Sequence, residues 1–258
     1  AHLYYDVSLM KDSQKLFTDA LVYDLEIKRA VYYNWAILTN DTTQLRSKRG
    51  YFYVNDNEAF FKDSVTIVDP DFELKTDTLK YNTKTGVATF LAPTLINQGD
   101  GKIYCEGGYY DTIKKQAHFI GNAQYVKDGQ EAVADHMHYN GDTETITLTG
   151  NASFKEDSTF AYADTIIYEE NSKLTYLIGN ARVRGDQKID SDRIVYNSET
   201  ESFETEGRAR VVDGPQILDA DHIVSESETA IASGNVVWVD TVEQVSIECE
   251  HLNFNKET

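Results

Sequence analysis

The sequence lacks an apolar run close to the ~20 residues that a membrane-spanning helix needs. Proline is scarce (3), while tyrosine (17) and phenylalanine (11) are abundant, and this balance favours strands over helices. A secretory signal peptide is absent too, and the first five residues already read like the inside of a strand. We therefore expect an all-β chain that is a processed or truncated piece of a longer protein.

Positive charge is the next shortage. The 258 residues carry 24 Lys and Arg against 43 Asp and Glu, which gives a formal charge of −19. Such a chain is not expected to hold a nucleic-acid backbone or an anionic bilayer through basic residues. The acids are interpreted mainly as a solvated, self-repelling surface, with cation binding as the alternative.

The sequence contains, instead, a repeat of about 29 residues. Five glycines that open Gly-Asn-Ala-like tripeptides follow one another at steps of 29, 29, 28 and 27 residues: Gly121, Gly150, Gly179, Gly207 and Gly234. In three upstream repeats the same slot holds Asn34, Ser64 and Ala92. Most repeats open with an acid, and on that slot they start at Asp19, Arg49, Asp77, Glu106, Asp135, Asp164, Asp192, Asp221 and Glu250. A fixed period of this size predicts a solenoid.

Side-chain alternation around the glycine slot predicts how each repeat folds. Positions two and four residues to either side are mostly apolar or small, and polar residues stand between them, which is the period of a strand. The alternation continues through the glycine, so we expect the glycine inside a bent strand and pointing inward, not in a hairpin turn. One departure is Lys62, which this register places on the inward face.

Two features concern the ends and the cysteines. In residues 1–18, the segment 3–6 looks like the first strand of a repeat and the segment 7–9 like the end of its second, with about 10 residues missing between them. Either this repeat is short, or the sequence skips a loop at this point. Cys105 and Cys249 occupy equivalent slots five repeats apart. At ~4.8 Å per layer they would lie ~24 Å apart, whereas a disulfide needs Cα atoms within about 7 Å, so no internal disulfide is expected.

The repeated pattern Ala-Asp-x-Ile-x-Tyr, polar turn, apolar-x-Gly-Asn-Ala/Val-x-Val resembles the OstA-like family of lipopolysaccharide-transport proteins. Residues 19–24, 47–51, 81–83 and 92–94 are similar to the longer OstA-like proteins of Bacteroidetes-type bacteria. The resemblance covers nearly the whole chain. It implies one continuous domain over residues 1–258, an elongated β-jellyroll or "β-taco" solenoid of about eight repeats plus partial terminal ones. Two antiparallel sheets would then face each other across an apolar cleft.

The same resemblance implies a non-enzymatic module that carries lipopolysaccharide across the periplasm towards the outer membrane, with lipid A acyl chains in the cleft. Other Lpt-type β-jellyroll proteins, or copies of this chain, would join it end to end by strand addition at open edges. A packed core is the alternative interpretation of the same apolar face. The residues expected to line the cleft are Phe90, Phe119, Leu148, Leu177, Tyr125, Phe154, Val183, Met137, Ile166, Ile194 and Trp238.

Catalytic and metal-binding motifs are not found, so no catalytic residue, cofactor or metal site is predicted. The stacked acids are interpreted as caps at a corner of each layer and not as a calcium site. Asn122, Asn151 and Asn180 are expected to form an amide ladder, and His136 and His138 to be surface residues. Two other function classes stay open: an adhesin-type scaffold without lipid, and a β-helix enzyme that acts on polysaccharides through grouped carboxylates.

Overall fold

The computed structural model describes residues 1–11, 14–40, 42–226 and 229–255. Within these ranges the regular elements are β-strands, and the strands pair antiparallel. No helix that could cross a membrane occurs in the described residues. The all-β prediction is confirmed. By its internal contacts the chain divides into two compact units, residues 1–128 and 129–258, and the single continuous domain stays a prediction.

The described part of unit 1 contains thirteen strands: β1 (His2–Lys11), β2 (Gln14–Asp24), β3 (Arg29–Tyr32), β4 (Ala36–Asn40), β5 (Thr43–Ser47), β6 (Arg49–Tyr53), β7 (Glu58–Val68), β8 (Glu73–Asn82), β9 (Val87–Phe90), β10 (Thr94–Gln98), β11 (Gly101–Cys105), β12 (Gly107–Asp111) and β13 (Gln116–Lys127). The described part of unit 2 contains eleven: β14 (Gln130–Asn140), β15 (Thr145–Glu156), β16 (Thr159–Glu169), β17 (Leu174–Arg184), β18 (Gln187–Asn197), β19 (Ser202–Glu206), β20 (Ala209–Asp213), β21 (Gln216–Ala220), β22 (His222–Ser225), β23 (Thr229–Asp240) and β24 (Val245–Asn255).

Each long strand bends at a β-bulge, which we call the corner. In β15, pairing with β16 stops at Thr149–Thr165 and resumes at Ala152–Ala163, so Gly150 and Asn151 stand opposite Asp164 alone. Gly150 has φ +75° and Asn151 has φ +49°. Two successive left-handed residues opposite one partner turn the strand without ending it. Glycines at the predicted slot therefore lie inside strands at 121, 150, 179 and 234, while Gly207 falls between β19 and β20.

The corner divides each strand pair into two arms. In β15 and β16 the first arm contains residues 145–149 and 165–169, and the second arm contains residues 152–156 and 159–163.

At the far end of the first arm, a side-chain oxygen accepts the backbone N–H groups that open the next turn. Asn82 Oδ1 accepts from Lys84 and Thr85 at 3.0 and 2.9 Å, and Asn197 Oδ1 accepts from Glu199 and Thr200. This local bond fixes where each first arm ends.

The direction of the glycine differs from the prediction. A Cβ built on Gly150 would meet Oδ2 of Asp135 at 2.5 Å. Asp135 is exposed, so the glycine faces the outer surface and the acid, and the inward orientation was wrong. The slot needs glycine for two reasons, the positive φ and the close approach of the carboxylate.

Pairing in unit 1 corrects one repeat by a single residue. β7 pairs with β8 at Lys62–Thr78 and Val65–Thr76, which leaves Asp63 and Ser64 at the bulge. Asp63 has φ +62° and therefore occupies the glycine slot that was assigned to Ser64. The inward residue two positions before the corner is then Phe61, at 1% exposed, and Lys62 faces outward.

The acid slot of that repeat moves as well. The backbone N–H of Lys48 donates to the carbonyl of Asp63 at 3.1 Å, as Asp221 N–H donates to Gly234 at 2.9 Å. Lys48 and not Arg49 therefore holds the slot. With this change the starts at 19, 48, 77 and 106 are spaced by 29 residues throughout.

The N-terminal segment is also simpler than predicted. β1 is one strand that pairs with β2 on both sides of a bulge, at Tyr4–Ala20 and Val7–Thr18. Tyr5 and Asp6 form the bulge, with φ +66° and +51°. The expectation that residues are missing between two strands here was wrong. Tyr5 adopts the left-handed conformation that glycine adopts in other repeats, so the sequence does not show the bulge at this position.

Candidate functional site

The interior of each unit is apolar and closed next to the corner. The inward side chains two positions from the bulge are almost fully buried, and in β15 they are Leu148 and Ala152 at 3% and 2% exposed. We call this the deep zone. Seven of the predicted lining residues belong to it, each buried to at most 4% exposure: Phe90, Phe119, Leu148, Leu177, Met137, Ile166 and Ile194.

Exposure rises further from the corner. The inward side chains four positions away are half-buried along much of unit 2, and we call them the mouth: Ile146, Phe154, Ala161, Tyr168, Thr175, Val183, Tyr196, Phe203 and Trp238. The predicted residues Phe154, Val183 and Trp238 belong to this mouth, and Tyr125 holds the equivalent position in unit 1. On the second arm of unit 2 some equivalent positions are buried, at Ile189, Val211 and Leu218.

The two arms pack against each other in the first repeats. One core cluster joins Leu21 and Tyr32 of the first arm to Leu16 and Ala36 of the second. The hydroxyl of Tyr32 lies 2.6 Å from that of Ser47 on the opposite arm. A Cβ on Gly50 would overlap the Tyr32 ring, so this glycine makes the space for it. Burial raises the pKa of Tyr32 to about 12.

Aromatic rings fill much of the interior of unit 1. Phe90 and Phe119 stack with ring centroids 6.4 Å apart and planes at 5°. Phe52 meets Phe61 edge to face at 5.5 Å. In unit 2 the deep zone is lined by aliphatic side chains on the first arm and by alanine on the second, as at Ala152, Ala163, Ala181 and Ala209. The interior of unit 2 therefore has smaller side chains on one wall.

The mouth of unit 2 is close to acidic groups. Burial raises the pKa of Tyr196, and the carboxylates of Glu201 and Glu156 raise it further. Glu156 ends the second arm of β15, while Tyr196 lies on the first arm of β18. The distal ends of the two arms are therefore within electrostatic reach of each other across the mouth.

Outside the corner, the acid and asparagine side chains bond to each other. Asn151 Nδ2 donates to Asp135 Oδ2 at 2.9 Å, and Asn180 Nδ2 donates to Asp164 Oδ2 at 2.9 Å. At Asn151 and Asn180 the expected ladder of asparagine amides is replaced by these Asn–Asp pairs. Each carboxylate thus stabilises the bulge of its own repeat.

Among the described residues, no group of three or more His, Cys, Asp or Glu side chains is placed so that it could hold a metal ion. His136 and His138 lie on either side of buried Met137, and burial, followed by the charge of His136, lowers the pKa of His138. Cys105 and Cys249 are unbridged. Burial raises the pKa of the Cys105 thiol to about 11, which makes it unreactive at neutral pH.

Comparison with protein families gives a match over half of the chain. Residues 44–173 match the family described as LptA/(LptD N-terminal domain) LPS transport protein. The chain belongs to this family. Residues 1–77 also match the family described as OstA-like protein. The resemblance stated from the repeated motif is thereby confirmed.

Individual relatives of this LptA/LptD N-terminal family member are distant. LptH from Pseudomonas aeruginosa, described as the LptA homologous periplasmic component of the lipopolysaccharide transport device, is 19% identical, and the match covers 38% of this chain and 75% of LptH at a TM-score of 0.35. The WD40 domain of SCAP from fission yeast is 10% identical, with 99% and 89% covered, at a TM-score of 0.16. Neither score supports a structural argument. No curated protein matches the chain.

Family membership confirms lipopolysaccharide transport as the functional class and agrees with the all-β jellyroll. The contribution of each predicted lining residue stays a prediction. Sequence reasoning placed all eleven on the inward face, but it did not separate the deep zone from the mouth. The number of residues between a side chain and the bulge separates the two groups, and this number can be counted once the bulge positions are known.

Proposed function

We propose that this protein is a non-enzymatic periplasmic module that carries lipopolysaccharide towards the outer membrane, with the acyl chains of lipid A held between the two arms. The observation that carries the proposal is the apolar face that continues from the closed deep zone to the half-buried mouth. Family membership supports the cargo. The face offers no directional chemistry among its aliphatic members, which suits a ligand that slides along the repeats.

The depth of burial decides which residues an acyl chain would contact first. Apolar area removed from water contributes about 25 cal/mol per Å². The side chains of Phe154, Val183 and Trp238 are half-buried, so an acyl chain can cover their remaining exposed apolar area. Leu148 and Leu177 are already at 3% and 1% exposure. Contact with those deep residues requires the two arms to separate. Chain entry would thus begin at the mouth and deepen as the arms open.

A photo-crosslinking experiment tests this order. A photoreactive amino acid is placed at Phe154 or Val183 in the mouth, at Leu148 or Leu177 in the deep zone, and at the outward-facing Arg182 as a control. Purified lipopolysaccharide should give adducts at the mouth positions, fewer at the deep positions and none above background at Arg182. Equal adducts at Val183 and Arg182 would refute a lipid cleft. An absence of adducts at all five positions, beside a working lipopolysaccharide-binding control, would favour a scaffold without lipid.

Strand addition at the ends is the second part of the proposal. Among the described residues β24 pairs on one side only, with β23, and most of its side chains are exposed, including Val245 and Ile247. An unpaired edge of eleven residues can accept a strand from another β-jellyroll protein or a second copy of this chain. Replacing Ile247 by proline, which removes a backbone donor, should weaken such assembly in analytical ultracentrifugation. Unchanged assembly would place the contact elsewhere.

A further inference from the structure

The two units differ in charge. Residues 1–128 contain 15 Lys and Arg against 17 Asp and Glu, whereas residues 129–258 contain nine against 26. The excess of negative charge therefore belongs almost wholly to unit 2. An anionic ligand would be repelled there and tolerated on unit 1.

A depression of about 210 Å³ lies on the outer face of unit 1. It is lined by Tyr51, Tyr53, Phe60 and Lys62. These residues alternate along β6 and β7 with Phe52 and Phe61, which point into the core. The outer face of a sheet whose other side is the core is usually polar, so three half-buried rings at one place are unusual.

The rings stand at an angle to one another. Tyr53 and Phe60 meet at 86° with centroids 6.0 Å apart, and Tyr51 meets its neighbour Tyr33 at 89° and 6.4 Å. In each pair the edge of one ring contacts the face of the other, and the Lys80 ammonium lies 5.5 Å from the Phe60 centroid. The parts of the rings that stay uncovered form the walls of the depression. Because the face of an aromatic ring is electron-rich, such walls attract the weakly positive C–H groups of a sugar ring.

Among the residues that the structure describes, no carboxylate pairs with the Lys62 ammonium at ion-pair distance, although the charge of Lys62 contributes to lowering the pKa of Asp63. The neighbouring carboxylates are occupied: Glu58 by Lys80 at 2.5 Å, and Asp63 by a two-point contact with Arg49, of which the Nη2–Oδ1 bond is 2.7 Å. The Arg49 hydrogen bonds hold the pKa of Asp63 below its usual range. In the described residues Lys62 itself forms no ion pair.

We propose that this depression binds one anionic sugar residue, a uronic acid or a phosphorylated sugar, with its ring against Tyr53 and Phe60 and its anionic group on Lys62. The depression is smaller than the ~300 to 1,000 Å³ of pockets that enclose drug-sized ligands, so we expect it to contact about one sugar ring of a free or longer ligand. The site is separate from the interior, and so it would contact a saccharide and not an acyl chain.

Titration of the full chain by NMR with glucose 1-phosphate and with glucuronate tests the proposal. Both ligands should shift the signals of Tyr51, Tyr53 and Phe60. Glucose and inorganic phosphate, each of which supplies half of the recognition, should bind at least about tenfold more weakly, a difference of ~1.4 kcal/mol. Because these ligands have no acyl chain, the outcome is independent of the proposed lipid cleft.

Three variants assign the contacts. Lys62→Gln keeps the shape of the depression and should reduce affinity about tenfold, while Lys75→Gln, at a lysine already paired with Glu73 at 2.9 Å, should leave it unchanged. Tyr53→Ala should also reduce affinity, with folding checked by circular dichroism. The proposal is overturned if inorganic phosphate binds as well as glucose 1-phosphate, if Lys62→Gln and Lys75→Gln behave alike, or if no lining residue shifts.

The same measurement separates two sources of the sugar. An oligosaccharide prepared from lipopolysaccharide by removal of lipid A would carry the anion on the cargo itself. A uronate-containing polysaccharide without lipid would represent another glycan of the cell envelope. Shifts at the depression with either one support the site, and the tighter ligand names the source. Shifts with neither overturn the assignment to anionic saccharides.

Discussion

Replacing Gly150 by alanine should destabilise unit 2, because the corner depends on both the conformation and the space that glycine provides. Gly150 has φ +75°, where an L-residue is disfavoured by roughly 1–2 kcal/mol. The new Cβ would lie 2.5 Å from Oδ2 and 3.0 Å from Cβ of Asp135, well inside an ordinary contact. The carboxylate must then move and release the 2.9 Å hydrogen bond from Asn151, a loss of about 0.5–1.5 kcal/mol. Together these terms predict a loss of about 1.5 to 3.5 kcal/mol.

The matched control is Gly129→Ala. Gly129 also has a positive φ, +84°, but the nearest atom to a Cβ built on it is Oδ1 of Asp157 at 3.6 Å, an ordinary contact. The conformational term applies there without a clash, so Gly129→Ala should cost about 1 kcal/mol less than Gly150→Ala. In an Asp135→Ala background the cost of Gly150→Ala should fall towards that of Gly129→Ala, because the clashing carboxylate is gone.

Urea unfolding followed by circular dichroism measures the free energies of the four variants and the wild type. Repeat arrays do not always unfold in one step, so amide hydrogen exchange of β15 and β16 should accompany it and report the local change. Equal costs for Gly150→Ala and Gly129→Ala would contradict the predicted clash at the corner. An unchanged cost of Gly150→Ala after removal of the Asp135 carboxylate would contradict it as well.

Two further predictions concern the core and the corrected register. Tyr32 keeps its proton in the folded chain up to a pKa of about 12, against 10.0 for the free side chain; the unfolded chain releases that proton first, so stability should fall as pH rises from about 10 to 12. Tyr32→Phe should lose about 1 kcal/mol at pH 7 for the hydrogen bond to Ser47 and show a shallower alkaline decline in urea midpoints. The remaining decline would come from Cys105 and Tyr196, whose pKa values are also raised in the folded chain. An equal decline in Tyr32→Phe and the wild type would contradict this. Asp63→Gly should be more stable than Asp63→Ala in the same assay, because only glycine accepts φ +62° without strain. Equal midpoints would count against Asp63 as the occupant of the glycine slot.

The repeat could be predicted from the sequence because side-chain alternation is a property of the strand itself. Period-2 patterning around Gly150 and Gly179 leads directly to a strand that continues through the glycine. Glycine marked the corner in unit 2 because it is the residue that best tolerates a positive φ. Tyr5 and Asp63 adopt similar angles without glycine, and no local pattern identifies such residues, since their conformation is imposed by pairing with neighbouring strands.

The depth of the interior was not predictable in the same way. Leu148 and Phe154 have the same parity, yet one is buried at 3% exposure and the other is half-buried. The difference arises from where the opposite arm approaches, which is a property of two distant chain segments. Exterior features such as the rings of Tyr51, Tyr53 and Phe60 were missed for a related reason, since they come together only across β6 and β7.

The backbone of the corner is more constant than its side chains, and this explains how one repeat can serve two electrostatic environments. In unit 2 the corner is held by Asn–Asp pairs such as Asn151 with Asp135. At the bulge of the repeat that begins at Asp19, Trp35 instead lies beneath Arg46, at 4.5 Å, and beneath Lys48, at 5.5 Å, the residue that holds the acid slot of the next repeat. A cation–π contact thus occupies the place that a carboxylate–amide bond takes at the equivalent bulge of unit 2. Because a cation in the next acid slot can contact the left-handed bulge residue in this way, that slot can hold a base without loss of the fold. Unit 1 can therefore be nearly neutral where unit 2 is strongly acidic, and a depression that accepts an anion can be placed on one and not on the other.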